Sequence, residues 1–184
     1  MFFKLIYDTV DELNKAAGGQ YIQWTEVDED DAIHIKRYIV FMLEKYECEQ
    51  TAPSDRGGFY LPLSNLPECS APNLRNLLTG LGFVYTHLRA DRDQFIDIHY
   101  DNIYDINHQI YERCFDCMQS NDTAFSVYDF NSILHSPQFS YYAKNESAPI
   151  ITPKPNWRNI EMDESWNEKK LTEQDVLIFR AIYA

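Results

Sequence analysis

Segments of two-residue alternation and segments of helical period follow one another along the chain, and this order predicts an α+β fold. The expected form is a single compact domain, residues 1–184, with a small, mainly antiparallel sheet packed against about five helices. Three observations carry it. FVYTHLRA and QFIDIHY alternate as strands around a polar turn at 91–93. From Asp28 to Tyr46, residues Ile35, Tyr38, Ile39, Met42, Leu43 and Tyr46 fall in one wide stripe at helical spacing. The chain has 184 residues, 45% of them hydrophobic, which fits one core of ordinary size rather than two.

In chain order, FFKLIY reads as a strand. Thr9-Val-Asp-Glu12 offers a capping box for a short helix that Gly18-Gly19 would stop, and QYIQW reads as a second strand. The long helix to Tyr46 follows. Turn residues crowd 47–70, a long loop or loose hairpin. Pro72-Asn-Leu-Arg-Asn-Leu-Leu is a short helix closed by Gly80, followed by the two strands. A helix is expected over 101–117 and another from the capping box Ser126-Val-Tyr-Asp129 to Ser136-Pro137. Residues 136–170 form an irregular, Pro-containing arm, which Trp157 and Trp166 would pin down. Thr172-Glu-Gln-Asp175 then caps a last helix.

With 29 acidic against 16 basic residues the formal net charge is −13, which argues against binding nucleic acid or an anionic membrane through a basic surface. Aromatic residues at 15% supply enough apolar area for folding despite that charge. MFFKLIYD is shorter than a signal-peptide core and no segment is long enough to span a membrane, so a cytoplasmic protein is expected.

The charge has a pattern. At 100° per residue on a helix, Asp105, Glu112 and Asp116 fall within roughly 60° of Asp101. No cation interrupts them, and Tyr104, Tyr111 and Phe115 lie along one flank. Asp28, Glu29, Asp30 and Asp31 make a second cluster without a cation at i+3 or i+4. Helix-dipole stabilisation accounts for acids in a first turn but disfavours Asp116 near the far end, which points to use by a partner. Ile33 and Val40, away from the main stripe, offer a patch for a partner or a second copy.

From these rows the sequence predicts a non-enzymatic, acidic, protein-binding inhibitor that meets a basic, nucleic-acid-handling protein, with DNA mimicry of the anti-CRISPR or antirestriction type as its sharpest form. It would not touch nucleic acid or membrane directly and would need no cofactor or metal. One alternative is an immunity protein or antitoxin for a basic toxin. Another is a small metal-dependent hydrolase using Asp97, His99 and Asp101, which alternate as a strand would place them. Cys114-x-x-Cys117 sits on the apolar side of the expected helix, so Cys48, Cys69, Cys114 and Cys117 read as buried free thiols. The sequence holds no Walker loop, GxGxxG, GxSxG or HExxH.

Overall fold

Phe2, Leu5, Ile6, Thr9, Val10, Leu13, Asn14 and Ala17, spaced by threes and fours, are buried or half-buried, and this period makes α1, Phe2–Ala17. FFKLIY is therefore no strand. Thr9, expected as a cap, sits mid-helix and donates its hydroxyl to Leu5 O at 2.8 Å. The helix stops at Gly18-Gly19, as the sequence predicts. The computed structural model describes residues 2–32, 34–35, 38–48, 52–53, 59–115, 127–162 and 165–183. They divide into two compact units, 1–83 with 176–184, and 84–175.

In the first unit, QYIQW forms no strand because the buried Asn14 side chain engages its backbone. Asn14 accepts from Tyr21 N and Ile22 N, both at 3.0 Å, and donates to Ile22 O at 3.1 Å. The long helix expected over 28–46 is also absent. It is replaced by a four-residue turn of helix, α2 (Glu29–Ala32), and a strand, β1 (Ile39–Glu44). A short continuous apolar run fits a strand as well as a helical stripe, and IVFML, half-buried along its length, is such a run. Tyr46, assigned to the stripe, is 90% exposed.

β1 pairs in parallel with β3 (Phe59–Ser64), Ile39 opposite Phe59 through Glu44 opposite Ser64. The short β2 (Ala52–Pro53) lies antiparallel on the other side of β3. The helix α3 (Ser70–Gly80) packs on β3, and here the sequence expectation holds, including its end at Gly80. Leu13, Leu61, Leu63, Leu77 and Leu78 fill the core, with Phe83 stacked near Phe179 and Tyr183 of the last helix, α4 (Glu173–Tyr183).

Among its described residues the second unit holds one ribbon, β4 (Ile96–Ile98) antiparallel to β5 (Ile151–Pro153). Most of the rest is turns and short 3-10 segments around Ile96, Ile103, Tyr111, Tyr128, Phe130, Ile150, Ile151 and Met162. FVYTHLRA is not a strand; it contains the 3-10 turn Thr86–Leu88, and QFIDIHY yields β4 alone. Residues 127–139 turn without forming a helix, while Ser126 lies outside the described residues. Trp157 rests against Phe95 and Phe130 at 5.5 and 5.9 Å, and Trp166 lies 6.0 Å from Tyr85.

The described residues thus carry a three-stranded mixed sheet, a two-stranded ribbon and few long helices, in place of a mainly antiparallel sheet packed against about five helices. The free thiols are corrected too. Cys48 and Cys69 form a disulfide and Cys114 is disulfide-bonded, while Cys117 lies outside the described residues.

Candidate functional site

Strand β3 and helix α3 are joined by side chains that complete each other's backbone bonding. Asn73 Oδ1 accepts from Ser64 N and its Nδ2 donates to Ser64 O, both at 2.9 Å, as a neighbouring strand would. One turn on, Asn76 Nδ2 donates to Pro62 O at 2.9 Å. Arg75 is 1% exposed. The Thr79 hydroxyl lies 3.1 Å from Arg75 O and 3.0 Å from Asn76 O, bonding back into its own helix. At Gly80 the helix comes so close to the sheet that a Cβ would meet Leu61 Cδ1 at 2.9 Å, so only glycine fits without displacement. Gly82, at φ 98°, turns the chain away.

In the second unit, a turn over Ser132–Ser136 is fixed by buried polar groups. Asp175 accepts from Ser132 Oγ at 2.6 Å, from Ile133 N at 2.9 Å and from Thr172 N at 3.0 Å. Burial pushes its carboxyl above the ordinary carboxylate value despite those donors. Tyr128 OH and His135 Nε2 are 2.9 Å apart, His135 Nδ1 lies 2.7 Å from Ser136 O, and Ser136 N donates to His87 Nδ1 at 3.0 Å. Burial pushes the His87 imidazole well below its ordinary value and His135 to about 3, so both rings are neutral. Arg92, also buried, donates to His87 O, Tyr111 O and Tyr100 Oη. Arg89 grips Asp91 with two bonds of 2.9 and 2.8 Å. These groups brace loops.

The expected acidic row is not built. Of the expected helix 101–117, the described residues 101–115 form no α-helix: Tyr100–Asn102 and Asp105–Tyr111 are 3-10 segments, separated where Ile103 bridges Ala143 and Tyr104 N donates to Tyr142 O at 3.1 Å. In a 3-10 turn residues i and i+3 eclipse, so a stripe drawn at 100° per residue dissolves. Asp101 and Glu112 are exposed. Asp105 does have a cation, Lys144 at 3.1 Å, whose hydrogen bond lowers its pKa, and His108 Nε2 lies 3.7 Å away. Tyr111 is 2% exposed and belongs to the core rather than a flank. Tyr104 and Phe115 are exposed, the latter under the Arg113 guanidinium at 4.9 Å; Asp116 lies outside the described residues.

Asp28, Asp30 and Asp31 are exposed beside the four-residue α2, which also carries Glu29; Ile33 lies outside the described residues, and Val40 is half-buried in β1. Asp97 pairs with Lys154, and His99 Nε2 lies 2.8 Å from Thr152 Oγ1, so neither is held ready for a metal with Asp101. Among the described residues, no three His, Cys, Asp or Glu side chains form a metal-holding group. Asp97, Glu112 and Phe115 do line one groove of about 560 Å³ in the second unit, but with Arg92, Arg113 and Lys154 it is mixed in charge. The α3–β3 clamp and the braces at 89–93 and 132–136 were missed. Their signals were Gly80-Leu-Gly82 closing a helix and the dense Arg89-Ala-Asp-Arg-Asp93 run, which read only as a polar turn.

Among solved structures, the fold is similar to that of High choriolytic enzyme 1, a hatching enzyme zinc-protease from the medaka Oryzias latipes. The TM-score is 0.66 at 18% identity, over 96% of this chain and 82% of that one. In sequence, the chain is 28% identical over 153 residues to zinc metalloproteinase nas-14 of Caenorhabditis elegans, covering 80% of this chain. It is 36% identical over 81 residues to the Oryzias latipes low choriolytic enzyme and 36% over 80 residues to mouse meprin A subunit alpha, covering 44% and 42% of this chain. It spans 27%, 27% and 10% of the lengths of those three proteins. The family profile described as Astacin, a peptidase family, matches residues 61–184.

These findings overturn the function read from charge. An acidic inhibitor of a nucleic-acid-handling protein, a DNA mimic or an anti-CRISPR factor has no support in this kinship, and the immunity-protein alternative falls with it. The expectation of a non-enzymatic chain rested on those acidic rows and gives way to kinship with a peptidase family. With more than half of its length matched, the chain belongs to the astacin family.

Proposed function

We propose that the chain engages polypeptides, the substrate class of peptidases, through an astacin-type fold. Family membership over 61–184 carries this reading. A feature of the sheet supports it: β1 is an edge strand, and among the described residues no strand pairs with its outer side. An extended peptide can add to such an edge through main-chain hydrogen bonds, with alternate side chains giving selectivity. The disulfide-bonded Cys48, Cys69 and Cys114 support residence in an oxidising compartment rather than the cytoplasm expected from the N-terminus.

The expected behaviour is retention of extended peptides, from a digest of an unfolded protein, by the immobilised, disulfide-intact chain. Failure to retain any peptide that an unrelated acidic protein does not also retain sinks the proposal. No hydrolytic step through zinc is derived, because the side chains that would have to hold the metal are of the wrong kind.

A further inference from the structure

We infer that this chain does not take up the zinc named for its relatives, and that α3, the helix matching a zinc-peptidase metal helix, is instead a structural clamp on β3. Zinc peptidases of this general kind hold the metal with H-E-x-x-H-x-x-G-x-x-H, two histidines one helical turn apart and a third beyond a glycine, with the glutamate as general base. Within the family-matched residues 61–184, the helix that ends at a glycine turn is α3. With the motif's glycine set on Gly82, its ligand positions fall on Arg75, Thr79 and Tyr85, and the position of the base on Asn76. With it set on Gly80, they fall on Asn73, Leu77 and Phe83, with Leu74 for the base. Neither register supplies a histidine or a carboxylate.

The substitutes are unsuited to zinc and already committed. Arg75 has no acceptor atom and carries a permanent positive charge where a dication would bind, with 1% of its surface exposed. Asn76 spends its amide on Pro62 O, and Thr79 its hydroxyl on its own helix. Asn73 is bonded through both amide atoms to Ser64. The described histidines of the second unit do not compensate. Both nitrogens of His135 and Nδ1 of His87 have partners, His99 Nε2 is beside Thr152 Oγ1, and His108 Nε2 lies 3.0 Å from Tyr100 O. Asn73 and Asn76 of α3 turn their amides to the strand, where they complete its backbone bonding.

The inference concerns metal, and peptide engagement can stand or fall separately. Its test is the zinc content of the purified, disulfide-intact full chain after equilibrium dialysis against micromolar zinc, read by elemental mass spectrometry beside Tm with and without EDTA. Below about one zinc per ten chains, with Tm unmoved by EDTA, is the expected result. Zinc near one per chain, with a Tm that drops when EDTA strips it, overturns the inference. A second variant sharpens it: R75H/N76E/T79H/Y85H rebuilds the ligand pattern, and if it folds it should gain at least tenfold in bound zinc over the parent. Equal zinc in a folded variant and its parent would contradict the assignment of these positions.

Discussion

His87 and His135 lie 5.8 Å apart, ring centre to ring centre, inside the second unit, and both are neutral in the native state. Burial is the first cause for each; for His87 the nearby His135 and Arg92 add to the cost of a proton. The unfolded chain protonates such rings near pH 6.5. Between that pH and the native value, which for His135 is about 3, the unfolded state therefore binds protons that the native state refuses. Stability from these groups is complete above pH 6.5 and falls as the pH drops, by up to about 1.4 kcal/mol per pH unit for each ring. Urea midpoints at pH 7 and pH 5 should show the lower value at pH 5, and a H135N variant should show a smaller difference. Equal midpoints would contradict the burial of uncharged imidazoles.

Asn73 is the second residue whose role is decided by hydrogen bonds. N73A strands the buried Ser64 N–H and C=O, at a cost of about 3 kcal/mol in unfolding free energy. N73D keeps the bond from Ser64 N but sets a buried carboxylate oxygen against Ser64 O, so it should lose at least as much. Neither Asn73 nor Asn76, which donates to Pro62 O, was legible as a site. Asn in a helix reads locally as a weak helix former, and only the position of β3 shows what it bonds.

Among the elements, α3 and α4 were legible and α1 in part. Helices announce themselves by caps and by period, as Thr172 and Asp175 do at the start of α4, where Asp175 N donates to Thr172 Oγ1 and Thr172 N to Asp175 Oδ2, both at 3.0 Å. β1 was not legible, because an apolar run between polar ends fits strand and helix alike. The 101–117 segment misled for a different reason. Its acids do recur at helical spacing, but Ile103 and Tyr104 are drawn into contact with residues 142 and 143, a contact that local spacing cannot reveal. The Cys48–Cys69 disulfide, with a sequence separation of 21, ties the stretch after β1 to the start of α3. Its removal by C48S/C69S should cost about 3 kcal/mol, chiefly through the freed unfolded chain, as measured by denaturant midpoint under oxidising conditions. An unchanged midpoint would mean that the bridge constrains nothing.

For the whole molecule, a net charge of −13 gave a false lead to function. Net charge bears on solubility and on association rates, and it says little about fold or chemistry. The acids are distributed over both units, and several are held by Lys4, Arg89, Lys144 and Lys154 rather than arrayed for a partner. Kinship was hidden because the pattern that would have announced a zinc peptidase, HExxH, is absent from the sequence, while the overall fold remains similar to that of a zinc-protease. The fold outlives the ligands because packing fixes it: Gly80 against Leu61 and Asn73 against Ser64 hold α3 to the sheet without a metal.

The measurement that tests this account most directly is binding of a fluorescent extended peptide, chosen from those the chain retains, by the disulfide-intact protein with and without EDTA. Fluorescence anisotropy and the mass of the recovered peptide are read together. The account predicts the same Kd, within twofold, in both conditions and no zinc-dependent change in peptide mass. Loss of binding on chelation, or cleavage that zinc restores, would show that a metal centre governs the site and would contradict it.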